Sequence, residues 1–484
     1  MQYNIIALVI GFILIIIGLC MIIPLGFSFY YHESVSRHLG ISSIICMCFG
    51  LVLVLIYKIT QKERHGDISY KEGMAVVTLA WIFASLFGAL PFYISGYIPS
   101  YIDSFFETMS GFTTTGASIL RDIEALPRGL LLWRSFTHFL GGMGIIVLSL
   151  AILPFFNIAG MQLYKAEVPG PTPDKLRPRL KDTAIILWKV YLLLTAIETI
   201  LLMSGGMDLF EALCHSFGTM ATGGFSTKNQ SIGYYSSFNQ IVIIIFMYLA
   251  GLNFSHHYKF LQKDFRSYFK DPEFFLYTGV IFVMVLLITP LAWNSTHEKF
   301  SDALLHSSFQ TISILTTTGY ATFDYEKWHY LAQALLFLAM FIGGCAGSTG
   351  GGIKCIRIIL LFKIAAKEFK RLIHPRAVVM VKLRTKKIPQ EICNAICVFF
   401  FLYFLVFFVS VVFLSCLSVD LLTSISATVA CLGNIGPGFG YVGPTENYSQ
   451  IPKLGKIILS FCMVAGRLEI YPVLIFFYPE FWKK

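Results

Sequence analysis

Four short segments rich in threonine and glycine recur along this sequence: Thr113-Thr114-Thr115-Gly116, Ala221-Thr222-Gly223-Gly224, Thr316-Thr317-Thr318-Gly319 and Gly433-Asn434-Ile435-Gly436. The chemistry such turns offer is coordination by main-chain oxygen. Brought around one axis, their carbonyls could replace the hydration shell of a passing cation, as rings of backbone carbonyls do in ion-selective filters. Glycine suits the corner because it reaches positive φ and places no Cβ in the way. An acidic residue stands 13 to 17 positions before each central glycine: Asp103, Asp208, Asp302 and Asp420 ahead of Gly116, Gly223, Gly319 and Gly436. Each is placed to stabilise the N-terminus of a short helix whose negative C-terminal end would point at the ion. Taken singly, one such turn reads better as a capping loop. Four in matching slots reverse that reading.

Two further features sit within apolar stretches. Residues 343–352 read GGCAGSTGGG, with Gly343, Gly344, Gly347, Gly350, Gly351 and Gly352. Each glycine costs a helix about 1 kcal/mol against alanine, so the spacing predicts a loop inside the membrane, just below the third turn. Its functional reading is a gate; its structural reading is close helix packing at small residues. A phosphate loop is excluded because the preceding strand and the Lys-Ser/Thr ending are absent. Arg467 falls near the middle of an apolar stretch, where a charge normally faces the bundle interior or a wet cavity. It could hold the glycine loop through its carbonyls, or it could pair with Glu469, Glu198 or Glu107. His215 and His306 lie in the short apolar stretches, as satisfied polar groups or as a proton relay.

The elements that must position these residues follow from composition. Of 484 residues, 56% are hydrophobic and 13% charged, about half the charge of a soluble domain. That excludes an ordinary soluble enzyme and a nucleic-acid binder, and leaves a multi-pass membrane protein in contact with lipid. Spans are predicted at 4–25, 39–58, 74–96, 133–156, 183–204, 237–258, 274–293, 329–362 (interrupted), 392–417 and 454–478. The apolar stretches 103–113, 209–219, 302–314 and 421–432 are too short to cross and predict re-entrant helices. With both termini cytoplasmic, the segments 58–72, 159–182, 259–272, 354–390 and the C-terminus hold 26 of the 37 Lys and Arg, as the positive-inside rule expects. The fold class is therefore all-α. Four helix–pore-helix–helix units surround a central pore: 71–160, 161–272, 273–375 (with the glycine-rich loop) and 376–484. An extra helical pair, 1–70, precedes them.

The run from Ser110 to Ala117, the glycine stretch 343–352 and Gly466-Arg467-Leu468-Glu469 resemble the Trk/Ktr/HKT superfamily, and within it the Trk type. The resemblance covers essentially the whole chain, including the two N-terminal spans that the shorter Ktr type lacks. It implies low-affinity potassium uptake across the bacterial inner membrane by a channel-like translocating subunit, with K+ as the transported ion and no organic cofactor. It further implies a homodimer regulated by a cytosolic nucleotide-binding ring of the TrkA type. K+ would be held at Thr114, Thr115 and Gly116; Ala221, Thr222 and Gly223; Thr317, Thr318 and Gly319; and Asn434, Ile435 and Gly436. The 343–352 glycines and Arg467 would form the gate. Some relatives that favour sodium carry serine at the first filter glycine, so Gly116 points to potassium. The fourth turn departs most from the threonine pattern.

Two other readings stay open at this stage. A proton-coupled potassium symporter working by alternating access would want buried carboxylates and inverted repeats, whereas these repeats share one orientation. An intramembrane enzyme would need a placed dyad or a metal motif, and no H-E-x-x-H occurs.

Overall fold

Inside a bilayer the backbone has no water to bond with, and helices satisfy it locally. The computed structural model, which describes residues 2–60, 69–142, 144, 180–296, 299–384 and 386–483, is built that way. Six stretches among the described residues are long and apolar enough to cross a membrane: Tyr3–Tyr30, Ser36–Thr60, Lys71–Ile94, Asp182–Ser204, Pro272–Ser295 and Gln390–Cys416. Phe282, Leu286, Phe401 and Val412 on their outer faces are 61 to 68% exposed, a surface that calls for hydrocarbon rather than water. The first two spans meet through small residues. A Cβ on Gly50 would stand 2.6 Å from the Gly11 carbonyl oxygen, so the helices touch backbone to backbone,. The third begins at a capping box, in which Ser69 N–H donates to Glu72 Oε2 at 2.9 Å and Ser69 Oγ accepts from Glu72 N–H,.

One pattern then repeats four times: a long helix, a short helix, an extended turn and a second helix of modest length. The short helices are Tyr101–Phe112, Leu209–Met220, Phe300–Leu315 and Leu421–Leu432. The second helices are Arg128–Gly142, Ser237–Ala250, Tyr330–Ala339 and Lys453–Arg467, none longer than 15 residues. Here the structure departs from the predicted spans. The span expected at 237–258 bends by 101° between Ser237–Ala250 and Phe254–Leu261, where Asn253 Oδ1 caps the second piece by accepting from Ser255 N–H. The interrupted span is two helices, Tyr330–Ala339 and Cys355–Ile373. The last span stops at Arg467, because Glu469 and Ile470 take φ of +55° and +71°. For a β-branched residue that conformation is strained. Arg467 therefore stands at a helix C-terminus, where a cation is favoured, and not in mid-span.

The rest of the expected span 133–156 beyond Gly142, apart from Gly144, the basic stretch of 159–182 up to residue 179, and Lys62 and Arg64 lie outside the described residues. Among the described residues the all-helical expectation has one small sheet as an exception, a hairpin in the basic segment. Lys382–Leu383 and Lys386–Lys387 pair antiparallel, Lys382 opposite Lys387.

Candidate ion-binding ring and glycine loop

All four short helices end in the same way. At each C-terminus one residue turns left-handed: Thr114 (φ +54°), Thr222 (+54°), Thr317 (+61°) and Asn434 (+54°). The following N–H then bonds back five residues: Thr115 to Ser110 O and Thr318 to Ser313 O at 2.8 Å, Gly223 to Gly218 O at 2.7 Å, Ile435 to Ala430 O at 2.8 Å. This is the Schellman closure of a helix. Glycine or asparagine normally fills its left-handed position, so three threonines there are held in strain. The fourth turn, which looked most irregular in sequence, carries at Asn434 the side chain best suited to the job. Two residues on, a glycine turns left-handed again: Gly116, Gly224 and Gly319 at φ +80°, Gly436 at +101°.

These corner glycines close a ring. A Cβ on Gly116 would overlap the carbonyl oxygen of Gly223, one on Gly224 that of Thr318, and one on Gly319 that of Ile435. A Cβ on Gly436 would come within 2.7 Å of Thr115 O. The contacts run from first turn to second, third, fourth and back to first. They also correct the register of the second turn. Its corner is Gly224, not Gly223, so the positions matching Thr114-Thr115-Gly116 are Thr222-Gly223-Gly224, and Ala221 matches Thr113. A cavity of about 160 Å³ on one face of the ring touches all four corners, Gly116, Gly224, Gly319 and Gly436, with Arg121, Lys228 and Glu446 at its rim.

Side chains tie neighbouring turns together. Asn434 Nδ2 donates to Thr115 Oγ1 at 3.0 Å, and Arg134 Nη1 to Ser226 O at 3.0 Å. Tyr448 O–H donates to Gly436 O and Tyr325 O–H to Gly438 O, both at 2.7 Å. Behind the first turn, Glu107 accepts from Arg134 Nε at 2.7 Å and from Ile119 N–H at 2.8 Å, with both partners of the ion pair buried. Of the four acidic residues, Asp208 and Asp420 cap their helices, accepting from Glu211 N–H and Thr423 N–H at 2.6 and 2.9 Å. Asp103 instead pairs with Lys456 at 2.6 Å, and Asp302 sits in the first turn of its helix.

On the opposite face from the cavity lies the glycine loop. Gly351 N–H donates to Thr317 Oγ1 at 2.6 Å, a Cβ on Gly350 would stand 3.0 Å from Thr316 O, and one on Gly351 would overlap Gly433 O. The loop thus underlies the third and fourth turns together. It rests on the bend of the broken helix: Cys345 N–H donates to Gly251 O at 2.9 Å and Phe254 N–H to Gly347 O at 3.0 Å. Arg467 joins loop to ring. Nη1 donates to Thr349 O at 2.7 Å and Thr114 Oγ1 at 3.1 Å; Nη2 donates to Gly141 O and Gly142 O at 2.6 and 2.9 Å. Of the ion-pair partners considered for it, Glu107 is held by Arg134 and Glu469 by Arg357. His215 and His306 are engaged locally, His215 with Glu211 O and Ser226 Oγ and His306 with Thr322 Oγ1.

Sequence reasoning passed over Glu273 and Lys354. Buried Glu273 accepts from Ala346 N–H at 3.1 Å and Ile356 N–H at 2.7 Å through the same Oε1, fastening the loop to the start of the helix that follows it. The Lys354 ammonium donates to Gly350 O. An acid at the start of a span, with no basic residue beside it in sequence, was the available signal for Glu273.

Four inward-dipping helices whose ends close into one oxygen-lined ring, with a cavity on one face and a loop on the other, define a membrane protein built to pass a small ion. Comparison with known proteins agrees. A family model described as TrkH, cation transport protein, matches residues 38–484. The chain is 40% identical to the Trk system potassium uptake protein TrkH of Escherichia coli K12 and 37% identical to that of Halomonas elongata, each over the full length of both chains. It superposes on the crystal structure of the potassium transporter TrkH from Vibrio parahaemolyticus with a TM-score of 0.89 at 34% identity, all of both chains being covered. The chain belongs to the TrkH family of cation transport proteins, and is not an enzyme.

Proposed function

We propose that this chain is the translocating subunit of a Trk-type potassium uptake system in the bacterial inner membrane, with both termini cytoplasmic. The observation that carries this reading is the cyclic closure of the four turns, from Gly116 against Gly223 O round to Gly436 against Thr115 O. K+ sheds its water on entering from the 160 Å³ cavity and is held by main-chain oxygens of the four turns: Thr114 to Gly116, Thr222 to Gly224, Thr317 to Gly319 and Asn434 to Gly436. Left-handed corners with no Cβ let neighbouring turns approach closely enough to share one ion. The four-unit division with an N-terminal pair, 1–70, organises the pathway.

Below the ring, the 343–352 loop acts as the gate, with Arg467 and Glu273 as its latches. Sliding Thr349 away from Arg467 and Gly351 away from Thr317 clears the route. The relatives' names supply the substrate and the system. The word "system" in those names fits a partner complex, which the resemblance to the Trk type fills in as a homodimer with a cytosolic nucleotide-binding ring of the TrkA type that draws the loop aside. The basic segment 363–387 with its hairpin is the surface offered to it.

The test is uptake of rubidium by liposomes holding the purified protein under a potassium gradient alone. Saturable K+ and Rb+ uptake that excludes sodium, and that loses this preference in Gly116→Ser, supports the filter. Uptake that needs a proton gradient, or a Gly116→Ser protein with unaltered preference, counts against it.

A further inference from the structure

The second turn lacks bracing of its own. In the first and third turns two threonine hydroxyls meet across the backbone, Thr113 with Thr115 and Thr316 with Thr318, each pair at 2.8 Å. In the fourth, Ile435 folds back, its Cδ1 3.0 Å from where a Cβ on Gly433 would stand. The second turn has Ala221 and Gly223 at these positions, with neither hydroxyl nor bulk.

The missing volume comes from another helix. A Cβ on Gly223 would overlap the His138 ring, with Cε1 2.6 Å away. His138 is fully buried and stacks on Phe225, ring centres 4.0 Å apart and planes 20° from parallel. The Arg134 guanidinium lies 3.5 Å from the Phe225 ring centre and donates to Ser226 O. One turn of helix Arg128–Gly142 therefore grips residues 223–226 at three points. The Ser110 backbone lies against the ring, yet neither nitrogen of His138 meets full hydrogen-bond geometry among the described residues, so the ring contributes mainly shape. Its target matters, because Gly223 O is the oxygen against which the Gly116 corner seats.

We propose that His138 is a positioning residue for ion selection: its imidazole fills the space beside Gly223 and fixes the second turn, which has no side chains to fix itself. This rests on the ring being the selective element. Outer supports of an ion site typically carry about 10- to 100-fold in affinity or activity. His138→Ala in full-length protein in liposomes is expected to cut the K+ over Na+ uptake ratio by about tenfold, while His138→Phe, a flat ring of similar bulk, keeps it. Gly223→Ala alone is expected to lose transport, and Gly223→Ala with His138→Ala to regain it, since the second change vacates the space the first needs. Unaltered selectivity in His138→Ala, a His138→Phe protein as unselective as His138→Ala, or a double variant no better than Gly223→Ala would each overturn the proposal. Gly319→Ala, on the side of the ring away from His138, separates the two levels. If it loses selectivity while the His138 variants do not, the positioning role fails and the filter stands. If it too leaves selectivity intact, the filter reading fails.

Discussion

Replacing Arg467 with methionine keeps side-chain bulk while removing the charge and all its donors. One of its bonds, to Thr349 O at 2.7 Å, belongs to the glycine loop; the others, to Thr114, Gly141 and Gly142, belong to the ring side and do not change when the loop moves. A hydrogen bond from a charged donor contributes about 1.5–3 kcal/mol. At about 1.4 kcal/mol per decade, losing the Thr349 bond raises the open fraction about 10- to 100-fold. Removing the positive charge lowers the barrier to a cation as well, so both effects act in one direction. The assay is rubidium uptake into liposomes, normalised to protein that elutes as a single species in detergent. Arg467→Lys restores the charge but, as a point donor, cannot reach all four oxygens. It should fall between wild type and methionine. A well-folded Arg467→Met protein with uptake within about twofold of wild type would show that Arg467 does not hold the loop closed, since so small a ratio corresponds to less than about 0.5 kcal/mol.

Glu273→Ala should also raise basal uptake, because it removes the single oxygen, Oε1, that accepts from both Ala346 N–H and Ile356 N–H; uptake without any nucleotide-binding partner checks it. Arg134→Met should destabilise the protein by about 3–5 kcal/mol, since it strands buried Glu107, and adding Glu107→Gln should recover part of the loss in a thermal melt. Gly224→Ala should abolish transport where an alanine at Gly26, whose Cβ meets nothing within 4 Å, does not; growth on limiting potassium distinguishes them.

The short helices were readable to within about two residues because each has an acidic residue at or within its first turn and a Thr/Gly turn at its end. Local chemistry sets all four C-terminal ends and, through Asp208 and Asp420, two of the N-terminal ones. The register of the second turn was not readable, because Gly223-Gly224 offers two glycines and only the sign of φ selects the corner. Neither were the breaks at 251–253 and 468–470, where long apolar runs continue in sequence while tertiary contacts end the helix. Arg467 was legible as a costly charge, yet its place at a helix end depended on the strained Glu469-Ile470 pair. Glu273 and His138 were invisible for a further reason: their partners lie more than 70 residues away, and neither sits in a motif.

In the proposed pathway four main-chain turns hold one dehydrated ion between them. Anomalous diffraction from crystals grown in rubidium measures this directly. A rubidium peak is expected on the axis enclosed by Gly116, Gly224, Gly319 and Gly436, within reach of oxygens from all four turns. Peaks found only elsewhere, with the centre of the ring holding none, would contradict it.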